Sequence, residues 1–175
     1  MDGLPGYTEQ SPFCVVDADP RQPTVRARGF AVVALVNPKI PANIGGVLRA
    51  SGCYGVSLVV IGGPRPARLA GLATDTQKAW RHIPHVLVPD VFDALPYDCV
   101  PVAVDLINGA QALPEYTHPE RAFYIFGAED ATLGKSVVER CRDKVFVPTG
   151  KLCMNLAATV NVVLYDRMAK QRLPR

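Results

Sequence analysis

FAVVALVNPKIPANIGGVLRA, residues 30–50, holds the transition on which the fold turns. Its first seven residues, Phe30–Val36, are all apolar and rich in β-branched side chains. A strand buried on both faces has that composition. Pro38 and Pro41 then stiffen the exit from the strand. From Asn43 to Cys53 the placement of Val47, Leu48 and Ala50 predicts a helix, with Asn43 as its N-cap.

The same alternation continues outward. SLVVIGG (Ser57–Gly63), Val86–Val88, VPVAVDL (Val100–Leu106), AFYIFG (Ala122–Gly127) and KVFVPTG (Lys144–Gly150) read as further strands. Helical segments are expected at Asp75–Arg81, Val91–Leu95 and Gly134–Arg140. The longest runs from Asn155 to about Gln171, with Leu156, Val160, Val163, Leu164 and Met168 near one face. Strand and helix in turn predict an α/β fold: a mostly parallel sheet with helices on both faces. Residues 1–28 differ. They carry Pro5, Pro12, Pro20 and Pro23 without a period of 2 or 3.6, and read as an N-terminal extension bearing Arg21, Arg26 and Arg28. One domain, residues 29–175, follows it.

Composition bounds the function. A chain of 175 residues, 49% hydrophobic and 20% charged, suits a single globular domain rather than a disordered segment or a long coiled coil. No apolar run reaches about 18 residues, so no membrane-spanning helix is expected. The net charge of +3 neither requires nor excludes a polyanionic partner. The five cysteines, Cys14, Cys53, Cys99, Cys141 and Cys153, include no CxxC pair. That argues against a disulfide scaffold or a structural zinc site and for a reducing, cytoplasmic setting. The N-terminus lacks the basic start and apolar stretch of a signal peptide.

Parallel sheets bind ligands beyond the carboxyl ends of their strands. Three loops there stand out. In the first, Gly45 and Gly46 remove side chains near a helix start, where a backbone or phosphate could approach. Arg49 follows and could fork onto a phosphate. In FGAEDATLG (Phe126–Gly134), Gly127 suggests a tight turn and Glu129 sits at the strand's mouth. In the third, Asn155 opens the long helix. Each has a plainer reading: Arg49 in a surface ion pair, Glu129 as a carboxylate at the start of the 134–140 helix, Asn155 as an N-cap. Together, Asn43, Arg49, Glu129 and Asn155 form a candidate catalytic group on one side of the sheet. His82 and His85 are three apart, but Pro84 separates them and no third ligand lies near, so no metal site is expected.

These segments resemble the three motifs of the SPOUT superfamily, in its SpoU/TrmH branch of RNA ribose 2′-O-methyltransferases. P-x-I-P-x-N-x-G-x-x-x-R is matched by Pro38, Ile40, Pro41, Asn43, Gly45 and Arg49. F-G-x-E-x-x-G is matched by Phe126, Gly127, Glu129 and, two positions late, Gly134. I-P-x…S-x-N-L/V is matched by Val147, Pro148, Asn155 and Leu156. The resemblance covers about residues 30–170, and the compact size is similar to the short YibK-like tRNA methyltransferases.

The resemblance implies a deep C-terminal trefoil knot, a homodimer and S-adenosylmethionine as methyl donor. It implies methylation of a ribose 2′-hydroxyl in RNA, tRNA before rRNA, with a catalytically inactive knotted RNA-binding protein as the alternative. Arg49 takes the place of the catalytic, RNA-binding arginine, with Asn43, Glu129 and Asn155 as the other catalytic polar residues. Val104, Gly127, Val147, Cys153 and Asn155 take cofactor-binding places, and Tyr165 an RNA-binding place near the dimer interface. Cys153 stands where the family usually has Ser, and a thiol is the poorer hydrogen-bond donor. An ordinary arginine stays protonated, so Arg49 is expected to position and stabilise rather than act as a base. No metal is needed, because the leaving group is a neutral thioether. Trp80 with Lys78 and Arg81 could meet RNA by stacking and charge, or Trp80 could serve the core. Arg65, Arg68, Lys170, Arg172 and Arg175 are candidate phosphate contacts or plain solvated surface.

Overall fold

Seven short strands pair in the order β3-β2-β1-β6-β4-β7-β5 in the computed structural model, which describes residues 29–64 and 72–172. They are β1 (Phe30–Val36), β2 (Leu58–Gly62), β3 (His85–Val88), β4 (Val100–Val104), β5 (Gln111–Ala112), β6 (Arg121–Phe126) and β7 (Asp143–Phe146). All the pairings are parallel. Among the described residues there are three α-helices: α1 (Pro41–Tyr54), α2 (Lys135–Val138) and α3 (Leu156–Arg172). The extension 1–28, Arg65, Arg68, Arg175 and the side chain of Arg172 lie outside the described residues.

The uniform apolarity of β1 follows from its place inside the sheet. Val33 and Leu35 are sealed in a core shared with α1 and α3. Val32 and Ala34 point into the opposite core, with Val91, Leu133 and Val138. So helices cover both faces: α1 and α3 on one, α2 and a 3₁₀ turn at Val91–Ala94 on the other. On α3, Leu156, Val160, Val163 and Leu164 are buried as their spacing predicts. A Cβ on Gly46 would stand only 2.7 Å from Ala157 Cβ, so this glycine lets α1 and α3 approach closely.

Late in the chain, β7 lies between β4 and β5, which are joined directly by residues 105–110.

Several sequence expectations change. Helix α1 starts at Pro41, with Ile40 as its N-cap and a proline in its first turn. Asn43 is therefore a buried first-turn residue and not the cap. The expected helix at 75–81 shrinks to a 3₁₀ turn at Ala79–Arg81. Lys78 just before it is left-handed (φ 54°), which interrupts a regular helix. Strand β7 stops at Phe146, and α2 has only four residues. The two-residue strand β5 had no sequence signal of its own; it exists because β7 offers it an edge.

Candidate functional site

Beyond the carboxyl ends of β4, β6 and β7 lies a cleft of about 400 Å³. Val104, Phe126, Val147 and Leu156 give it apolar walls; Glu129, Asp130, Thr149, Cys153 and Thr159 give it a polar rim. Three parallel strands ending together leave such a crevice, which the loops after them line.

Glu129 organises one side. Its carboxylate accepts hydrogen bonds from the backbone N–H of Lys39 (2.9 Å) and Ile40 (3.2 Å) and from Asn43 Nδ2 (2.8 Å). Helix α1 has no acidic residue in its first turn and no side-chain cap of its own. Glu129 supplies that anion from the far side of the fold, at the helix's positive end. It is thus a helix-start carboxylate, but for α1 and not for the 134–140 segment. Burial would raise its pKa, but the Asn43 amide and the backbone N–H groups of Lys39, Glu129 itself and Ile40 outweigh burial and hold it below the usual carboxylate range. Lys39 Nζ pairs with Asp130 (2.9 Å) beside it.

Asp105 escaped the sequence reading. One oxygen accepts from Leu106 N (2.7 Å), the other from Leu133 N (2.6 Å). It ties the end of β4 to the loop that carries Glu129. A charged residue closing an apolar strand was the available signal.

The structure brings Val104, Gly127, Glu129, Val147 and Cys153 to the cleft, and attaches Asn43 through Glu129. Asn155 caps α3, its Oδ1 accepting from Ala158 N (2.7 Å). Its neighbours Met154 and Leu156 line the cleft, while Asn155 itself does not. Arg49 is exposed on α1 outside the cleft, and its Nη1 donates to Thr76 Oγ1 (3.3 Å). Tyr165 is 58% exposed on α3, away from the cleft. So the single chain sets one of the four expected catalytic residues, Glu129, in the cleft, joins Asn43 to it, and leaves Arg49 apart. The sequence placed all four on one side of the sheet; it could not show how far down α1 Arg49 would lie. Trp80 is half-buried against the α1–α3 core. Cys53, Cys99, Cys141 and Cys153 are free thiols. Among the described residues, no three His, Cys, Asp or Glu side chains gather as a metal centre would need, and no helix is long and apolar enough to cross a membrane.

Residues 31–165 match the SpoU rRNA methylase family. The chain belongs to this family. Solved structures share the fold of this SpoU chain. The SpoU methyltransferase AviRb from Streptomyces viridochromogenes is 20% identical, with a TM-score of 0.72 over 82% of this chain and 60% of its own. AviRb has also been solved with AdoMet. A putative TrmH-family RNA methyltransferase from Porphyromonas gingivalis is 19% identical, with a TM-score of 0.71 over 86% of this chain and 63% of its own. A protein solved to study 2-OH methylation of C/U34 on tRNA is 25% identical, with a TM-score of 0.67 over 82% of this chain and 99% of its own. The SpoU chain described here spans about 60% of the length of AviRb. No curated protein matches it.

Proposed function

We propose that this SpoU-family chain is an S-adenosylmethionine-dependent RNA methyltransferase that modifies a ribose 2′-hydroxyl, with tRNA as its substrate, acting in the cytoplasm as a homodimer. The observation that carries the reading is the cleft at the ends of β4, β6 and β7, in a chain of this family. Its volume of about 400 Å³ falls within the range of small-molecule sites. Val104, Phe126, Val147 and Leu156 suit an adenine ring; Thr149, Thr159 and Glu129 suit hydroxyl and ammonium groups. The residues present therefore fit the methyl donor. S-adenosylmethionine, when bound, supplies a methyl group activated by a sulfonium. The protein's part is binding, orientation and charge.

Arg49 would hold an RNA phosphate and stabilise negative charge developing on the ribose oxygen. Glu129 and Asn43 keep the start of α1, and hence the helix bearing Arg49, fixed against the cleft. In the single chain Arg49 stands outside the cleft, so a second copy or the RNA itself must close that distance. Exposed Val162 and Tyr165 on α3 suit a contact with a second copy. The tRNA preference is supported by the relative studied for C/U34 methylation, which matches along nearly its whole length.

Arg49→Lys tests the assignment. Methylation of bulk tRNA should fall at least about 100-fold, while S-adenosylmethionine affinity by calorimetry stays unchanged. Wild-type turnover in that variant would remove Arg49 from the mechanism. Ribose-methylation mapping in cells with and without the gene separates tRNA from rRNA.

A further inference from the structure

The segment after the second strand does more than connect. Thr74 Oγ1 donates to Ala42 O (2.5 Å) at the start of α1. A Cβ on Gly45 would collide with Thr74 Oγ1 and approach Asp75 N to 3.1 Å. Thr76 Oγ1 accepts from Arg49 Nη1 (3.3 Å), and Ala79 lies beside Gly52. Ala42, Gly45, Arg49 and Gly52 recur at helical spacing, so they form one face of α1. Residues 72–79 therefore run along that face as a strap, over about 15 Å of helix.

Three cations cluster at the strap and the α1 face beneath it. Arg49, Lys78 and Arg81 are exposed, and among the described residues none has a carboxylate partner. The acid nearest in sequence, Asp75, is buried, with its two oxygens taken by the N–H groups of Ala79 (2.7 Å) and Trp80 (3.0 Å). Elsewhere Lys39, Arg121, Lys135, Arg140, Arg142 and Lys170 are paired with carboxylates, while Lys144 and Lys151 stand singly, with no such partner among the described residues. The Arg81 guanidinium lies 5.2 Å from the centre of the Trp80 ring, and Trp80 is wedged against the core. Arg81 is thus held out over a fixed base.

We propose that this strap and the α1 face beneath it form a phosphate-binding surface for the RNA substrate. Lys78 and Arg81 take phosphates flanking the reacting nucleotide, and Thr76 is a positioning residue that orients Arg49. The inference rests on the RNA methyltransferase reading. Three exposed cations without carboxylate partners among the described residues, spread over a surface outside the cleft, suit a polyanionic strand rather than a small phosphate ligand.

The test uses full-length protein and bulk tRNA, with affinity measured from about 50 to 200 mM KCl. Lys78→Ala and Arg81→Ala should each weaken binding about two- to five-fold and reduce the slope of log affinity against log salt by about one. Lys135→Ala, the same charge change on the opposite face of the sheet, should do neither. Unchanged S-adenosylmethionine affinity shows that each variant is folded. Thr76→Val should lower kcat without changing KM for the cofactor, and Thr76→Ser should restore it. Wild-type tRNA affinity and salt slope in the Lys78→Ala/Arg81→Ala double variant would overturn the proposal and leave the methyltransferase reading intact. Equal losses in Lys135→Ala would also overturn it, by reducing the effect to net charge. Failure of the wild-type protein to bind tRNA at all would remove both.

Discussion

Glu129 carries more structure than any other single residue of the site. One carboxylate closes the N-terminus of α1, fixes Asn43 and forms part of the cleft wall. Glu129→Ala leaves three donors without their acceptor and should cost about 1–2 kcal/mol in denaturant unfolding. Its pKa is depressed in the fold, so the sign is fixed. Its stabilisation is complete above the ordinary carboxylate range and is lost as pH falls through its lowered value. The variant should accordingly show a shallower loss of stability in acid than wild type. Gly45 gives the second residue-scale prediction. Ala in its place drives a methyl group into Thr74 and should cost about 1–3 kcal/mol, read by thermal unfolding. If Gly45→Ala unfolds like wild type, the strap does not seat on α1 as described.

At the scale of elements, the far end of α3 is held by polar groups where its periodicity promises an apolar stripe. Arg167 is 2% exposed, and its Nη1 and Nη2 donate to Pro119 O (2.6 Å) and Glu120 O (2.7 Å), just before β6. His118 Nδ1 accepts from Tyr124 Oη (2.6 Å), and Nε2 donates to Asp166 (2.8 Å), which also pairs with Lys170 (2.7 Å). Burial pushes the His118 pKa down to about 4; the pull of Asp166 upward is too weak to offset it, and Arg167 and Lys170 oppose it further. A neutral imidazole also satisfies both observed hydrogen bonds. Because the unfolded chain takes up this proton first, stability should fall as pH drops from about 6.5 towards about 4, by a total on the order of 3 kcal/mol. His118→Asn should flatten that part of the pH profile. An identical pH dependence in the variant would show that His118 is not the group responsible. At the other end of α3, Gly46→Val should separate the two helices and lower the unfolding midpoint, since even a single Cβ there comes within 2.7 Å of Ala157.

For the whole molecule, the cleft depends on segments far apart in sequence meeting beyond the carboxyl ends of β4, β6 and β7. If the homodimer completes the site, Tyr165→Arg should shift sedimentation towards monomer and abolish methylation together; an active monomer would refute the dimer. The class of fold was legible because β1, β2, β4 and β6 are apolar on both faces, and only a strand covered on both sides needs that composition. The walls of the cleft were legible too, since Val104, Gly127 and Val147 directly end strands or follow them. The cap on α1 was not, because Asn43 and Glu129 are 86 residues apart and local propensity favours Asn as a cap of its own helix. Nor was the strap: 75–81 reads as a helix, and its seat against the glycines of α1 and the Thr74–Ala42 hydrogen bond are contacts between remote segments.

Hydrophobic alternation is a local property, so the order of the main strands and helices, β5 aside, and the edge that bears the loops could be written from the residues alone. Which strand lies beside which, which carboxylate meets which helix start, and where Arg49 stands relative to the cleft are distances between remote segments. Those are set by packing in three dimensions, and only the folded chain decides them.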